Sequence, residues 1–126
     1  MIDILIDKLI INSNGYTAID ITDTITDWLR KNKAKRGFVT INAPGNGCVI
    51  TLIEYESNLL SDLEEFLARY GEKKKIVLEG LFGKSVVLPV IDGTIDAGVF
   101  KRIVFIDISE EEGSKEVLVG FEGVHD

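Results

Sequence analysis

Histidine occurs once in this chain, cysteine once, and glutamine not at all. The single histidine, His125, is the penultimate residue, where chain ends are usually frayed. Metal chemistry with imidazole ligands therefore has almost nothing to work with, because zinc sites draw on several His or Cys. One cysteine, Cys48, excludes an intrachain disulfide and fits a reducing compartment. No apolar run reaches the length needed to span a bilayer. The opening Met1-Ile2-Asp3-Ile4 is acidic where a secretory leader would be basic. The chain thus reads as cytoplasmic. Acidic residues outnumber basic ones 21 to 14, for a net charge of -7, which argues against a general nucleic-acid or anionic-membrane binder. The lack of glutamine and the single methionine lean toward a thermophile composition.

What is present describes one folded domain, residues 1–126. Apolar residues make up 45% and charged residues 28%, a globular composition rather than a disordered one. Ile2-Asp3-Ile4-Leu5-Ile6-Asp7 alternates, which puts Ile2, Ile4 and Ile6 on one face of a strand. Ser13-Asn14-Gly15 then signals a hairpin, with Tyr16 to Asp20 returning. Thr22 is placed to cap a helix whose apolar face is Ile21, Ile25, Trp28 and Leu29. Lys31, Lys33, Lys35 and Arg36 close that helix as cations at its negative end, and Gly37 stops it. Phe38–Ala43 and Cys48–Ile53 read as strands. Ser57 or Asn58 opens a second helix, with Leu59, Leu63, Phe66, Leu67 and Tyr70 on its buried stripe and Gly71 at its end. Glu72–Lys75 reads as a solvated connector, and Ile76-Val77-Leu78 leads into a Gly-containing loop. Ser85–Ile91 is a strand with Pro89 late in it, as at an edge or bulge. Asp92-Gly93 signals a turn. Arg102–Ile108 and Glu116–Phe121 read as a closing antiparallel pair. Many strands and two helices give an α+β fold, mainly antiparallel sheets packed as a sandwich.

The chemistry-bearing candidates cluster around Ala43-Pro44-Gly45-Asn46-Gly47-Cys48 and the strand that follows, ending on Glu54. A loop this rich in glycine can bring amides of Gly45, Asn46 and Gly47 close to a ligand. Its nucleophile candidates are Cys48 and Thr51. Cys48 lies in an apolar strand with no His partner, so it reads as a small core residue. Gly83-Lys84-Ser85 looks like the tail of a P-loop, yet Leu78 stands where the motif needs its first glycine, and a β-branched run follows where it needs a helix. A nucleotide P-loop is excluded, and Lys84 and Ser85 stay as anion-binding candidates. Lys101-Arg102 could hold a phosphate or carboxylate while Phe100 stacks on a ring. An oxygen-only Mg²⁺ site could use Glu54, Glu56 or Asp92.

In their order and spacing these pieces resemble the YjbQ-like family across almost the whole chain. Gly15–Asp23 is similar to the family's approach to its first helix. Phe82-Gly83-Lys84-Ser85-Val86-Val87-Leu88-Pro89-Val90-Ile91-Asp92-Gly93 is similar to its Leu-Gly-Ser-Ser, Val-Pro-Val and Gly signature. Ala97–Ile103 falls where the family usually has Leu-Gly-Thr-Trp-Gln-Gly-Ile. The resemblance implies an α+β fold of packed sheets, assembled as a homotrimer with sites near subunit contacts. Some members carry a weak thiamine-phosphate synthase activity, which joins an aminopyrimidine methyl diphosphate to a thiazole phosphate. Departures fall where chemistry would sit. Pro44-Gly45-Asn46-Gly47 replaces the family's Pro-His-Thr-Thr, while Glu54 matches its strand-ending Glu. A segment usually rich in Gly, Asn, Asp and His is shortened to Glu72–Lys75. Phe100 and Lys101 replace Trp-Gln.

Two functions remain in view. The first is a diverged binding or structural trimer that has lost the histidine-based site. The second is a thiamine-phosphate-synthase-like enzyme or binder of a phosphorylated small molecule. There Gly45, Asn46, Gly47, Lys84, Ser85, Phe100, Lys101 and Arg102 would hold the ligand, and Glu54 would manage a proton or a cation. Phosphoryl chemistry can run mainly on positioning and charge.

Overall fold

The structure, a computed structural model, describes residues 2–54, 56, 58–99 and 101–126. Ten elements make three layers. The first layer is a five-stranded sheet in the order β1 (Asp3–Ser13), β8 (Gly113–His125), β3 (Ala34–Asn42), β5 (Ser85–Ile91) and β6 (Thr94–Ile95). The second is a three-stranded sheet of β2 (Thr17–Asp20), β7 (Lys101–Asp107) and β4 (Cys48–Glu54). Every strand pair is antiparallel. The helix α2 (Leu59–Phe82) forms the third layer, and the shorter α1 (Thr22–Lys31) contributes Ile25, Trp28 and Leu29 to the main core. The result is α+β with sheets packed face to face.

β7 shows why two cores form. Its residues are buried on both faces. Ile103 and Phe105 meet Val39, Ile41, Val119 and Phe121 of the large sheet, while Val104 and Ile106 meet Val49, Leu67 and Leu78 on the α2 side. A strand covered on both faces reads as a continuous apolar run rather than an alternating one. That is how residues 103–106 read. Asp92-Gly93 forms the tight β5–β6 turn, with φ of 52° and 79°. Two positive φ values are what the favoured two-residue hairpin turn requires. Pro89 pairs with Phe38 on one side, while β6 pairs only with Val90 and Ile91 on the other, so the proline stands on an open edge.

Several expectations are corrected. Ser13-Asn14-Gly15 is no hairpin: β1 pairs with β8 and β2 with β7, so this corner carries the chain from one sheet to the other. β7 and β8 likewise belong to different sheets and do not pair. α1 ends at Lys31, and Lys35, Arg36 and Gly37 lie in β3. Thr22 is not the cap of α1. Its hydroxyl accepts from the Ile103 N–H at 2.8 Å, and its own N–H donates to Asp20 at 2.9 Å. Ile4 and Ile6 face outward, at 72% and 68% exposure, while Leu5, Leu9 and Ile11 face the core. Both faces of β1 are apolar, so alternation alone does not choose between them.

The largest correction concerns α2. It runs straight past Gly71 to Phe82 and takes up Glu72–Lys75 and Ile76-Val77-Leu78, with one non-helical residue at Lys74. Gly71 is a contact point rather than a stop. A Cβ there would sit 3.1 Å from both the Ile108 carbonyl oxygen and the Tyr16 ring. Leu67 and Leu78 face the small sheet, whereas Phe66 and Tyr70 are on the solvent side. Asn58 sits at the N-cap of α2 but makes no side-chain capping bond. The expected Ser57 cap lies outside the described residues.

Candidate functional site

β4 separates the expected site residues into two groups. Gly45, Asn46 and Gly47 precede its first residue, and Glu54 is its last. Six steps along a strand cover about 20 Å. Lys84 and Ser85 belong with the loop, since the Ala43 N–H donates to the Lys84 carbonyl at 2.8 Å and Ser85 pairs with Asn42. Lys101 and Arg102 belong with Glu54, being paired to Glu54 and Ile53 in the β4–β7 ladder. Phe100 lies outside the described residues.

At the loop end the expected polarity is inverted. Carbonyls, rather than amides, converge there. The Lys84 ammonium donates to the Gly45 carbonyl and, at 2.7 Å, to the Cys48 carbonyl. A lysine therefore fills the position that a bound anion would need left open. The Gly47 carbonyl accepts from the Ile108 N–H at 2.7 Å, and Gly47 packs against Ser109 and Lys75 with φ of 78°. Cys48 is fully buried, and burial pushes its thiol up to about 11, with the Asp107 carboxylate adding in the same direction. At neutral pH the thiol is protonated, which makes it a core residue rather than a nucleophile.

Beneath this loop lies a polar cluster that the motifs did not reveal. Asp107 is fully buried, opposite both Thr17 and Cys48 in the small sheet. Its Oδ1 accepts from the Ser109 N–H at 3.0 Å and the Ser109 hydroxyl at 2.7 Å. Its Oδ2 accepts from the Ser13 hydroxyl at 2.7 Å, with Lys115 Nζ at 3.6 Å. Each buried polar atom has a partner. The cluster ties the β1 corner, the end of β7 and the start of β8 together. The signal for it in the sequence was an acid closing an otherwise apolar run, two residues before a serine.

The other end is more open. A hollow of about 240 Å³ is lined by Asp20, Glu54, Glu56 and Arg102 over Ile53, Leu59, Leu60 and Val104. Arg102 Nε donates to Asp20 at 2.7 Å, and its Nη2 lies 3.4 Å from Asp23. These contacts raise the Arg102 pKa, the Asp20 hydrogen bond most of all. Burial pushes the Asp20 carboxyl upward, but hydrogen bonds from Arg102 and Thr22 outweigh it and hold it below its ordinary value. Lys101 Nζ lies 3.6 Å from Glu54, in a pair open to solvent. Asp92 lies in the β5–β6 turn of the other sheet, apart from Glu54 and Glu56. His125 is held at its own end of β8, with Nδ1 2.7 Å from the Asn32 carbonyl and its ring edge-on to Phe121. Among the described residues, no group of three or more His, Cys, Asp and Glu is arranged to hold a metal ion, and no helix is long and apolar enough to cross a membrane.

Comparison with known proteins gives a consistent answer. A UPF0047 protein from Methanothermobacter thermautotrophicus is 29% identical over 109 residues, covering 76% of each chain. One from Archaeoglobus fulgidus is 30% identical over 102 residues, covering 71% of this chain and 79% of the relative. Among solved structures, a YbjQ-like protein of unknown function from Sulfolobus solfataricus superposes with a TM-score of 0.83 at 18% identity, over 98% of this chain and all of the other. A hypothetical protein from Aeropyrum pernix gives 0.81 at 20% identity, over 95% and 99% of the two chains. The family model described as UPF0047 protein YjbQ-like matches residues 7–123. The chain therefore belongs to the YjbQ/UPF0047 family.

Proposed function

We propose that this chain is a homotrimeric binding or structural protein of the YjbQ scaffold that works without imidazole catalysis. The observation that supports this reading is where the cations go. Lys84 is directed at two loop carbonyls, Arg102 at Asp20 and Asp23, and Lys101 at Glu54. A diphosphate would have to displace oxygen atoms the chain already supplies. The glycine loop and the Glu54 end are also too far apart to grip one small molecule. The trimer part has its own support. The outer face of the five-stranded sheet exposes Ile4, Ile6, Phe38 and Val87 around Gly120, whose missing side chain leaves a hollow of about 630 Å³. Monomeric proteins rarely leave so large an apolar surface uncovered. The reading also includes a cytoplasmic location and a thermophile source, in keeping with the composition.

The test has two arms. Purified protein assayed with the aminopyrimidine diphosphate and the thiazole phosphate gives no thiamine phosphate above background. Turnover that disappears in Glu54→Gln would overturn this. In sedimentation, Phe38→Lys breaks the sheet-face contact, whereas an unchanged particle would remove the assembly argument. A second reading rests on the 240 Å³ hollow beside Arg102, which could take a phosphorylated small molecule. It asks the ligand to replace Glu54 on Lys101, an exposed pair of little intrinsic strength. Saturable calorimetric binding of the thiazole phosphate, weakened by Arg102→Met, would favour it.

A further inference from the structure

The solvent side of α2 carries a second apolar surface that the trimer reading leaves unused. Phe66, Tyr70, Val77 and Leu81 are 42%, 47%, 58% and 76% exposed. With Lys73 and Gly80 between them, positions 66, 70, 73, 77 and 80 follow the alternating four-and-three spacing of a seam along which two helices pack. The Phe66 and Tyr70 rings rest on each other at 5.1 Å between centroids, forming one aromatic ridge.

Gly80 adds an independent observation. It sits inside the helix, and nothing lies within 4 Å of where its Cβ would be. Nor is it among the glycines with positive φ. The fold of one copy has no need for a glycine at a position where that residue weakens a helix. A second backbone approaching closely would need it. Charge then selects the partner. The first turns of α2 carry Asp62, Glu64 and Glu65 against Arg69, and its middle carries Lys73, Lys74 and Lys75. A second copy of α2 lying antiparallel sets each acidic stretch beside a basic one, and opposite charges near a helix seam fix orientation.

We propose that α2 is a self-association surface, and that the α2 helices of two copies pack antiparallel along Phe66, Tyr70, Val77, Gly80 and Leu81. Such a contact is isologous, the same patch meeting itself across a two-fold axis. Combined with the sheet-face trimer it gives a particle of six chains. That number rests on the trimer reading, but the helix pair does not.

Sedimentation of the wild type and three variants tests it, with the far-UV helix signal as the folding control. The wild type sediments as six chains. Val77→Glu and Gly80→Leu, both on exposed helix surface, each give three. Phe38→Lys, on the other face, gives two. A three-chain wild type overturns the helix pair and leaves the trimer standing. So does a six-chain particle that neither helix variant halves. A two-chain wild type that Val77→Glu dissolves and Phe38→Lys leaves intact supports the helix pair and removes the trimer. A single-chain wild type overturns both.

Discussion

Replacing Asp107 with alanine removes the acceptor for two serine hydroxyls, one backbone N–H and the Lys115 ammonium at once. Ser13 and Ser109 are themselves buried, and the Lys115 side chain is only 15% exposed. Leaving a buried donor without an acceptor costs about 1–3 kcal/mol, and breaking a buried ion pair about 3–5 kcal/mol. These losses overlap, because the hydroxyls can turn and Lys115 retains some water. We therefore expect about 3–5 kcal/mol for Asp107→Ala, a large part of the roughly 5–15 kcal/mol that holds a domain together. Asp107→Asn keeps an oxygen for Ser109 and turns its amide toward the Ser13 oxygen, losing only the charge on Lys115. It should cost about 1–3 kcal/mol. Urea unfolding at neutral pH, followed by far-UV circular dichroism, measures both. An alanine variant that loses less than about 1 kcal/mol, or an asparagine variant as unstable as the alanine one, would refute the view that this cluster joins the two sheets.

Two pH effects follow from the same structure. The Cys48 thiol titrates near 11 in the folded chain against an ordinary value of 9.0. Its neutral form is the one the fold favours, so stability is intact below 9.0 and falls as pH rises through about 11, by roughly 2–3 kcal/mol. Cys48→Ala should flatten that alkaline decline in unfolding curves, and a decline that persists in the variant would contradict the assignment. Asp20 is shifted the other way, below its ordinary 3.8, so its contribution is present above that value and disappears as pH falls through the folded-state value. Arg102→Met should move the acid unfolding midpoint to higher pH, and an unmoved midpoint would show that Asp20 is not held down by its partner.

How much of this was legible depended on the range of the interaction. The α1 face, the Asp92-Gly93 turn and the apolar run of β7 are written in neighbouring residues, and they appear as read. The family resemblance carried the rest of the fold class. Strand partners were misjudged wherever sequence neighbours were assumed to pair. The Asn14-Gly15 corner has the residues of a hairpin, but β8 and β7 compete for its two strands, and burial decides. Gly71 reads locally as a helix stop. It becomes a contact point only when Tyr16 and Ile108, distant in sequence, come to rest against it. Phe66 and Tyr70 look like core residues from spacing alone, and the helix's rotation against the small sheet puts them outside. The site residues were found singly, but nothing local says that the glycine loop and Glu54 stand at opposite ends of one strand. Asp107 belongs to no motif. Its partners come from β1 and β8 as well as from its own strand.

β8 lies between β1 and β3, and it is the last strand to leave the ribosome. Asp3 pairs with Gly123, so the first strand synthesised waits for the whole chain before it meets its neighbour. At usual elongation speeds of about 5–20 residues per second, that wait is on the order of ten seconds. During it, β1 offers apolar side chains on both faces and an unsatisfied backbone edge. Nascent chains of this protein should therefore be clients of ribosome-associated chaperones, and docking of β1 a post-translational event.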